Sequence, residues 1–237
     1  MGELNVFLTG GSDREGGGDG PVVVLLHGFG APGSDLVSLS RVLDVPREVR
    51  FVFPEAPLAP PEFADYGGRA WWMIDVAAMQ VAAARGEKRD RSNEHPPGLD
   101  SARDQLNGLL DVVEQELGAG GESIVLGGFS QGAMLSCDLA LRSERKLGGL
   151  ALLSTTLLCR DHWVPRMPAR AELPILQVHG RNDQLLPFAA AVELRDLLRA
   201  GGCSKLDWIE FNGAHEVPSS ALDALAKLIR RSVVREP

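Results

Sequence analysis

Seven short runs of apolar, largely β-branched residues are strung along this chain: "LNVFL" (4–8), "PVVVLLHG" (21–28), "VRFVF" (49–53), "SIVLGGF" (123–129), "GGLALLS" (148–154), "PILQVHG" (174–180) and "LDWIEF" (206–211). Most are nearly continuous rather than alternating. A strand with one wet face alternates apolar and polar side chains, so a run such as "VVVLL" requires cover on both faces. Between the runs lie helical patterns. The clearest is "DSARDQLNGLLDVVEQELG", in which Leu99, Ala102, Leu106, Leu109, Val113 and Leu117 share a stripe, Asp100 or Ser101 is placed to cap the start, and Gly118 follows the end. Others fall at about 34–43, 131–142, 188–200 and 219–234. Strand alternating with helix specifies an α/β fold: a mostly parallel central sheet flanked by helices on both faces.

Two stretches interrupt this rhythm. "TGGSDREGGGDG" (9–20) is glycine-rich but lacks the Gly-Lys-Ser/Thr ending of a phosphate loop, and it reads as a mobile connection between the first two strands. From Pro54 to Pro97 the chain carries much of its proline, the adjacent Trp71 and Trp72, and the charged run "RGEKRDRSNEHPPG". That composition suits an excursion over the sheet edge, where substrate contacts are expected. The whole of 1–237 is expected to form one domain with this excursion at about 54–97. Its 44% hydrophobic and 24% charged residues suffice for a substantial core.

A net charge of −8, with no basic patch to offset it, argues against nucleic acid as a partner. No run approaches 18 apolar residues and the N-terminus lacks a basic region followed by an apolar run, so neither a membrane span nor a signal peptide is expected, and a cytoplasmic location follows. Cys137, Cys159 and Cys203 lack metal or disulfide spacing; buried, reduced thiols are expected and no metal site. Oligomeric state, monomer or homodimer, stays open.

Chemistry enters at "GGFSQGAML" (127–135). Gly128, Ser130 and Gly132 match G-x-S-x-G, with a strand-like run before and a helical pattern after, the context that exposes a nucleophile on a sharp bend. A serine hydroxyl is a poor nucleophile unaided, so a base and an orienting acid are required, in the chain order serine, acid, histidine. Asp183 lies just past "PILQVHG" and His215 just past "LDWIEF", both at carboxyl ends of predicted strands, where parallel sheets build their sites. His215 is the only histidine after Asp183. Asp207, inside a strand, is the weaker competitor for the acid. An oxyanion needs two backbone N–H donors; Gln131 supplies one, and Phe29, from "HGFG" (27–30), is the candidate for the other. His27 and His179 precede the acid and read as loop-fixing residues, while His95 and His162 read as surface residues. Trp71 and Trp72 are either core or a wall of the substrate pocket, and they stand as the substrate-binding candidates.

"LLHGFG", "GGFSQGAM", "HGRNDQLLP" and "NGAHEVP", in that order, with "PEAP" (54–57) and "WWMID" (71–75), resemble the phospholipase/carboxylesterase family of α/β-hydrolases, which includes the acyl-protein thioesterases. The resemblance runs from about 21 to 230. It implies the α/β-hydrolase fold and a cofactor-free serine hydrolase of carboxylic esters or thioesters, with triad roles on Ser130, Asp183 and His215. Phe29 and "APG" depart from many relatives after the first histidine-glycine, and the segment 80–97 looks longer and more charged than in compact thioesterases. The expected activity is hydrolysis of short- to medium-chain acyl esters of small molecules through an acyl-enzyme. A thioesterase, a lysophospholipase, and a non-catalytic binding protein on the same fold are the rival readings.

Overall fold

In a computed structural model, which describes residues 3–75, 81, 85 and 90–233, the seven apolar runs become seven strands of one sheet. They are β1 (Val6–Gly10), β2 (Val22–Leu26), β3 (Arg50–Pro54), β4 (Ile124–Phe129), β5 (Gly149–Leu153), β6 (Ile175–Gly180) and β7 (Leu206–Phe211). The spatial order is β1-β3-β2-β4-β5-β6-β7. Only β1 runs antiparallel, pairing Val6 with Pro54 and Gly10 with Arg50; every other neighbouring pair is parallel. The helices are α1 (Leu39–Val42), α2 (Leu99–Glu116), α3 (Gln131–Arg142), α4 (Arg160–Trp163), α5 (Phe188–Ala200) and α6 (Ser219–Val233).

The continuous runs are explained by a core on each side of the sheet. Val22, Val24 and Leu26 face a cluster containing Leu106, Leu110 and Val113 of α2, Leu135 and Leu139 of α3, and Leu194 and Leu198 of α5. Val23 and Leu25 point the other way, onto Leu225 and Ile229 of α6 and onto Leu36 and Leu43. Every residue of β2 is buried, since period-two alternation sends successive side chains into two different cores.

Three local expectations are corrected. The cap of α2 is Gly98 in the left-handed region (φ 92°) rather than Asp100 or Ser101. Asp100 instead accepts hydrogen bonds from Arg103 and Arg142, with His95 Nε2 3.0 Å away, and these neighbours, outweighing its burial, bring its carboxyl down to about 2. The helix expected over 34–43 shrinks to Leu39–Val42, because the residues before it close i→i−3 turns, Val37 N–H to Ser34 O and Leu39 N–H to Leu36 O. Residues 9–20 are not a loose connection: Gly11 N–H donates to Val49 O, Gly16 N–H to Gly10 O, and Asp13 Oδ1 accepts from the N–H groups of Glu15 and Gly17. Nested turn bonds, which a count of glycines does not reveal, hold this loop against β3.

The outer edge at β7 is laced with charge. Arg231 bonds Asp207 at 3.0 Å, Arg181 pairs with Glu210, and the Arg195 guanidinium lies 5.0 Å from the Trp208 ring centre. No helix among the described residues is long and apolar enough to cross a membrane. Cys137, Cys159 and Cys203 are free and buried, and burial, first among the causes, raises the pKa of each thiol.

Candidate active site

The bend between β4 and α3 sets the geometry. Ser130 sits there at φ 54°, ψ −116°, a left-handed conformation that ordinary side chains avoid and that persists only where the surroundings enforce it. Its N–H is anchored on Leu153 O of β5 at 2.9 Å, and its C=O accepts Met134 N–H at 3.0 Å to start α3. The flanking glycines follow from space: a Cβ on Gly128 would stand 2.6 Å from Leu26 O, and one on Gly132 would strike the same carbonyl group. The strand-to-helix turn is therefore packed backbone against backbone.

Asp183 and His215 come from the loops after β6 and β7. Arg181 N–H donates to Phe211 O and Asn182 N–H to Gly213 O, so the two loops are in register before any side chain is considered. Asp183 Oδ2 then lies 2.7 Å from His215 Nδ1, while Asp183 Oδ1 accepts the N–H groups of Leu185 (2.9 Å) and Leu186 (2.8 Å). Burial alone would push this carboxyl up. The His215 hydrogen bond and the Leu186 and Leu185 N–H donors outweigh it, and the pKa is held below its ordinary value. The His215 ring sits 4.8 Å from that of Phe129, the residue before Ser130, and Ser154 Oγ reaches Glu216 O at 3.4 Å, drawing the histidine loop down over the bend.

The loop after β2 closes the other side. Gly28 lies so near Ser130 that a Cβ on it would be 3.4 Å from the serine Cβ. Gly30 N–H is bonded to Arg69 O and Ala31 N–H to Gly28 O, but among the described residues the N–H groups of Phe29 and Gln131 donate to no protein acceptor. Two free backbone donors beside Ser130 are the kind of pair that a developing oxyanion requires.

His27 and His179, expected to fix loops, do so, and Gln131 adds side-chain contacts that the sequence does not signal. His27, only 1% exposed, directs Nδ1 to Gly28 O at 2.8 Å and accepts Ala56 N–H on Nε2 at 3.1 Å. That fixes one neutral tautomer, and burial lowers its pKa. His179 is fully buried, with Nε2 2.9 Å from Leu186 O and 3.4 Å from Asp183 Oδ2, so it backs the acid directly. Gln131 acts through its side chain as well as its backbone: Oε1 accepts Trp71 N–H at 2.9 Å and Nε2 donates to Trp72 O at 2.8 Å. The His27–Ala56 bond and the two Gln131 side-chain bonds carry no local signal, because their partners lie far away in the chain.

Trp71 and Trp72 need correction. Each is 2% exposed and packs in the core with α2 and α3, and Trp71 Nε1 donates to His27 O at 3.0 Å. Large rings bury wherever cover is available, and here the two tryptophans pack beneath the bend that carries Ser130. Part of the segment 80–97 lies outside the described residues. His95 is partly exposed and meets the His162 ring edge-on, with centroids 5.7 Å apart. Among the described residues no cluster of three or more His, Cys, Asp or Glu side chains has the geometry of a metal site.

A mostly parallel seven-stranded sheet with helices on both faces, a strained serine at the β4–α3 bend, and an Asp–His pair on the loops after β6 and β7 define an α/β-hydrolase. The chain belongs to the phospholipase/carboxylesterase family, whose model matches residues 16–233. It is 27% identical over 226 residues to acyl-protein thioesterase 1 of Emericella nidulans, covering 90% of this chain and 91% of that protein. Among solved structures, esterase PE8 matches with a TM-score of 0.77 at 24% identity, over 98% of this chain and 99% of the other. Zea mays acyl-protein thioesterase 2 matches with a TM-score of 0.71 at 21% identity, over 99% and 100% respectively. The members of this family set the class of reaction: the protein is a carboxylic ester hydrolase.

Proposed function

We propose that residues 1–237 form a single-domain serine esterase that cleaves short- to medium-chain carboxylic esters through an acyl-enzyme. The observation that carries this reading is Ser130 held in a left-handed conformation between β4 and α3, because strain of that kind at a half-buried serine on a strand-to-helix bend is stored for chemistry rather than for packing. His215 Nε2 takes the Ser130 proton, and Ser130 Oγ attacks the carbonyl carbon. The Phe29 and Gln131 N–H groups hold the oxyanion, each at a scale of about 3–4 kcal/mol. Collapse of the tetrahedral intermediate expels the alcohol, protonated by His215. Water, deprotonated in turn by His215, releases the acid. Asp183 holds the Nδ1–H tautomer and stabilises the imidazolium.

Two exposed apolar side chains support an acyl platform of modest depth. Met73 is 48% exposed and follows Trp72, whose carbonyl Gln131 holds; Leu185 is 54% exposed and donates its N–H to Asp183. A thioesterase reading is favoured by one specific observation, the near full-length match to a protein named acyl-protein thioesterase 1. A panel of p-nitrophenyl esters, acyl thioesters and lysolipids of increasing chain length separates the readings. Highest kcat/KM on C2–C8 oxygen esters is expected; a preference for long-chain thioesters or lysolipids overturns the substrate assignment. Failure of a fluorophosphonate to label Ser130 overturns the mechanism.

A further inference from the structure

At the opposite edge of the sheet lies a cavity of about 500 Å³ that the ester chemistry does not use. Its floor comes from the end of β1 and the start of β3, through Thr9, Gly10, Val49 and Phe51, and its rim carries Arg14, Arg41 and Arg47. The triad stands where β4, β6 and β7 end, whereas this cavity lies where β3 begins. Strands of five and six residues place the two about 17–20 Å apart.

Most arginines among the described residues are paired through their side chains. Arg50, Arg103, Arg142, Arg145, Arg170 and Arg230 each bond a carboxylate or a carbonyl. Among the described residues Arg14, Arg41 and Arg47 have no such side-chain partner, although the chain carries a net charge of −8. No acidic residue lines the cavity, and the neighbouring Asp44 is already taken by Arg230. Arg14 is, moreover, a non-glycine residue at φ 70°, held there by the Gly11 C=O, which accepts its N–H at 3.3 Å, and by Thr9 Oγ1, which donates to its C=O at 3.4 Å. A strained residue in a hydrogen-bonded loop that presents a guanidinium to an acid-free cavity is an observation independent of the charge count.

We propose that this cavity binds a small phosphorylated ligand with an apolar body. Guanidinium groups match phosphate oxygens in fork geometry, and three of them suit a dianion better than a single carboxylate. Leu43, Val45, Pro46 and Phe51 supply an apolar wall, and the volume lies within the range of small-molecule sites. The inference does not rest on the esterase reading, since it uses none of its residues.

Isothermal titration of the full-length protein with phenyl phosphate, inorganic phosphate and benzoate tests it, beside co-sedimentation with vesicles containing phosphatidate. Phenyl phosphate is expected to bind tightest and benzoate weakest. The exposed pair Arg41→Gln/Arg47→Gln is expected to weaken phenyl phosphate about tenfold or more, and Arg41→Lys/Arg47→Lys less, with p-nitrophenyl ester turnover unchanged in both. Equal affinity in the Gln pair, benzoate binding as tightly as phenyl phosphate, or absence of soluble binding overturns the proposal. Capture by phosphatidate vesicles without phenyl phosphate binding overturns it too, in favour of a lipid headgroup.

Discussion

The side-chain carbonyl of Gln131 accepts the backbone N–H of Trp71 at 2.9 Å, across sixty positions of sequence, and its amide nitrogen returns a bond to the next carbonyl in that strand of chain. The residue after the proposed nucleophile thereby fastens the excursion to the bend. Gln131→Ala is expected to orphan a buried N–H and a buried C=O, at about 1–3 kcal/mol each, and to lower the urea midpoint accordingly. Gln131→Glu keeps one acceptor and loses one donor, so it falls between. Both retain the backbone N–H; a drop in kcat larger than in KM for Gln131→Ala would report the side chain's positioning role, and a wild-type stability would refute it.

Ser130→Ala is expected to reduce p-nitrophenyl acetate turnover about 10⁴-fold or more with the fold intact, measured by kcat/KM and thermal unfolding side by side. Ser130→Gly should be equally inactive yet more stable than Ser130→Ala, by about 1 kcal/mol, because glycine adopts φ 54° without strain. Equal melting of the two variants would show that the bend is not strained.

Asp183→Asn is expected to cost about 10⁴-fold in kcat, since an amide no longer fixes the Nδ1–H form of His215. Stability supplies an independent readout. The Asp183 carboxyl lies below its ordinary pKa in the folded protein, so its contribution is present above the unfolded value of about 4 and is lost as pH falls through the folded value. The stability difference between wild type and Asp183→Asn should therefore be flat at neutral pH and shrink below pH 4. A difference that grows on acidification would reverse the sign of the shift.

Gly132→Ala introduces a Cβ against the Leu26 carbonyl, where neither side can move without unzipping β2 from β4. A loss of about 3 kcal/mol or more is expected by urea denaturation. Gly108→Ala on α2, where a Cβ meets nothing, should instead be neutral to stabilising by up to about 1 kcal/mol, the difference in helix propensity.

What could be read from the sequence divides along physical lines. Strands announce themselves because burial on both faces demands uninterrupted apolar residues, and the bend announces itself because packed backbone demands glycine. The approach of Asp183 to His215 was recoverable from chain order at strand ends. His27 and His179 were legible as loop-fixing histidines, but the Ala56 partner of His27 and the hold of the Gln131 amide on residues 71 and 72 were not, since only folding brings those groups near. The choice between core and pocket wall for Trp71 and Trp72 was open in the sequence, since composition indicated an excursion but not that the ring of Trp71 would reach His27 O in the interior.

The charged lacing of β7 bears on how copies of this protein behave together. A bare edge offers its unpaired N–H and C=O groups to any passing strand, and ion pairs such as Arg231 with Asp207 make that approach costly by forcing charges out of water. Asp207→Ala/Arg231→Ala strips part of that barrier, and this edge is where self-adhesion and turbidity should then begin.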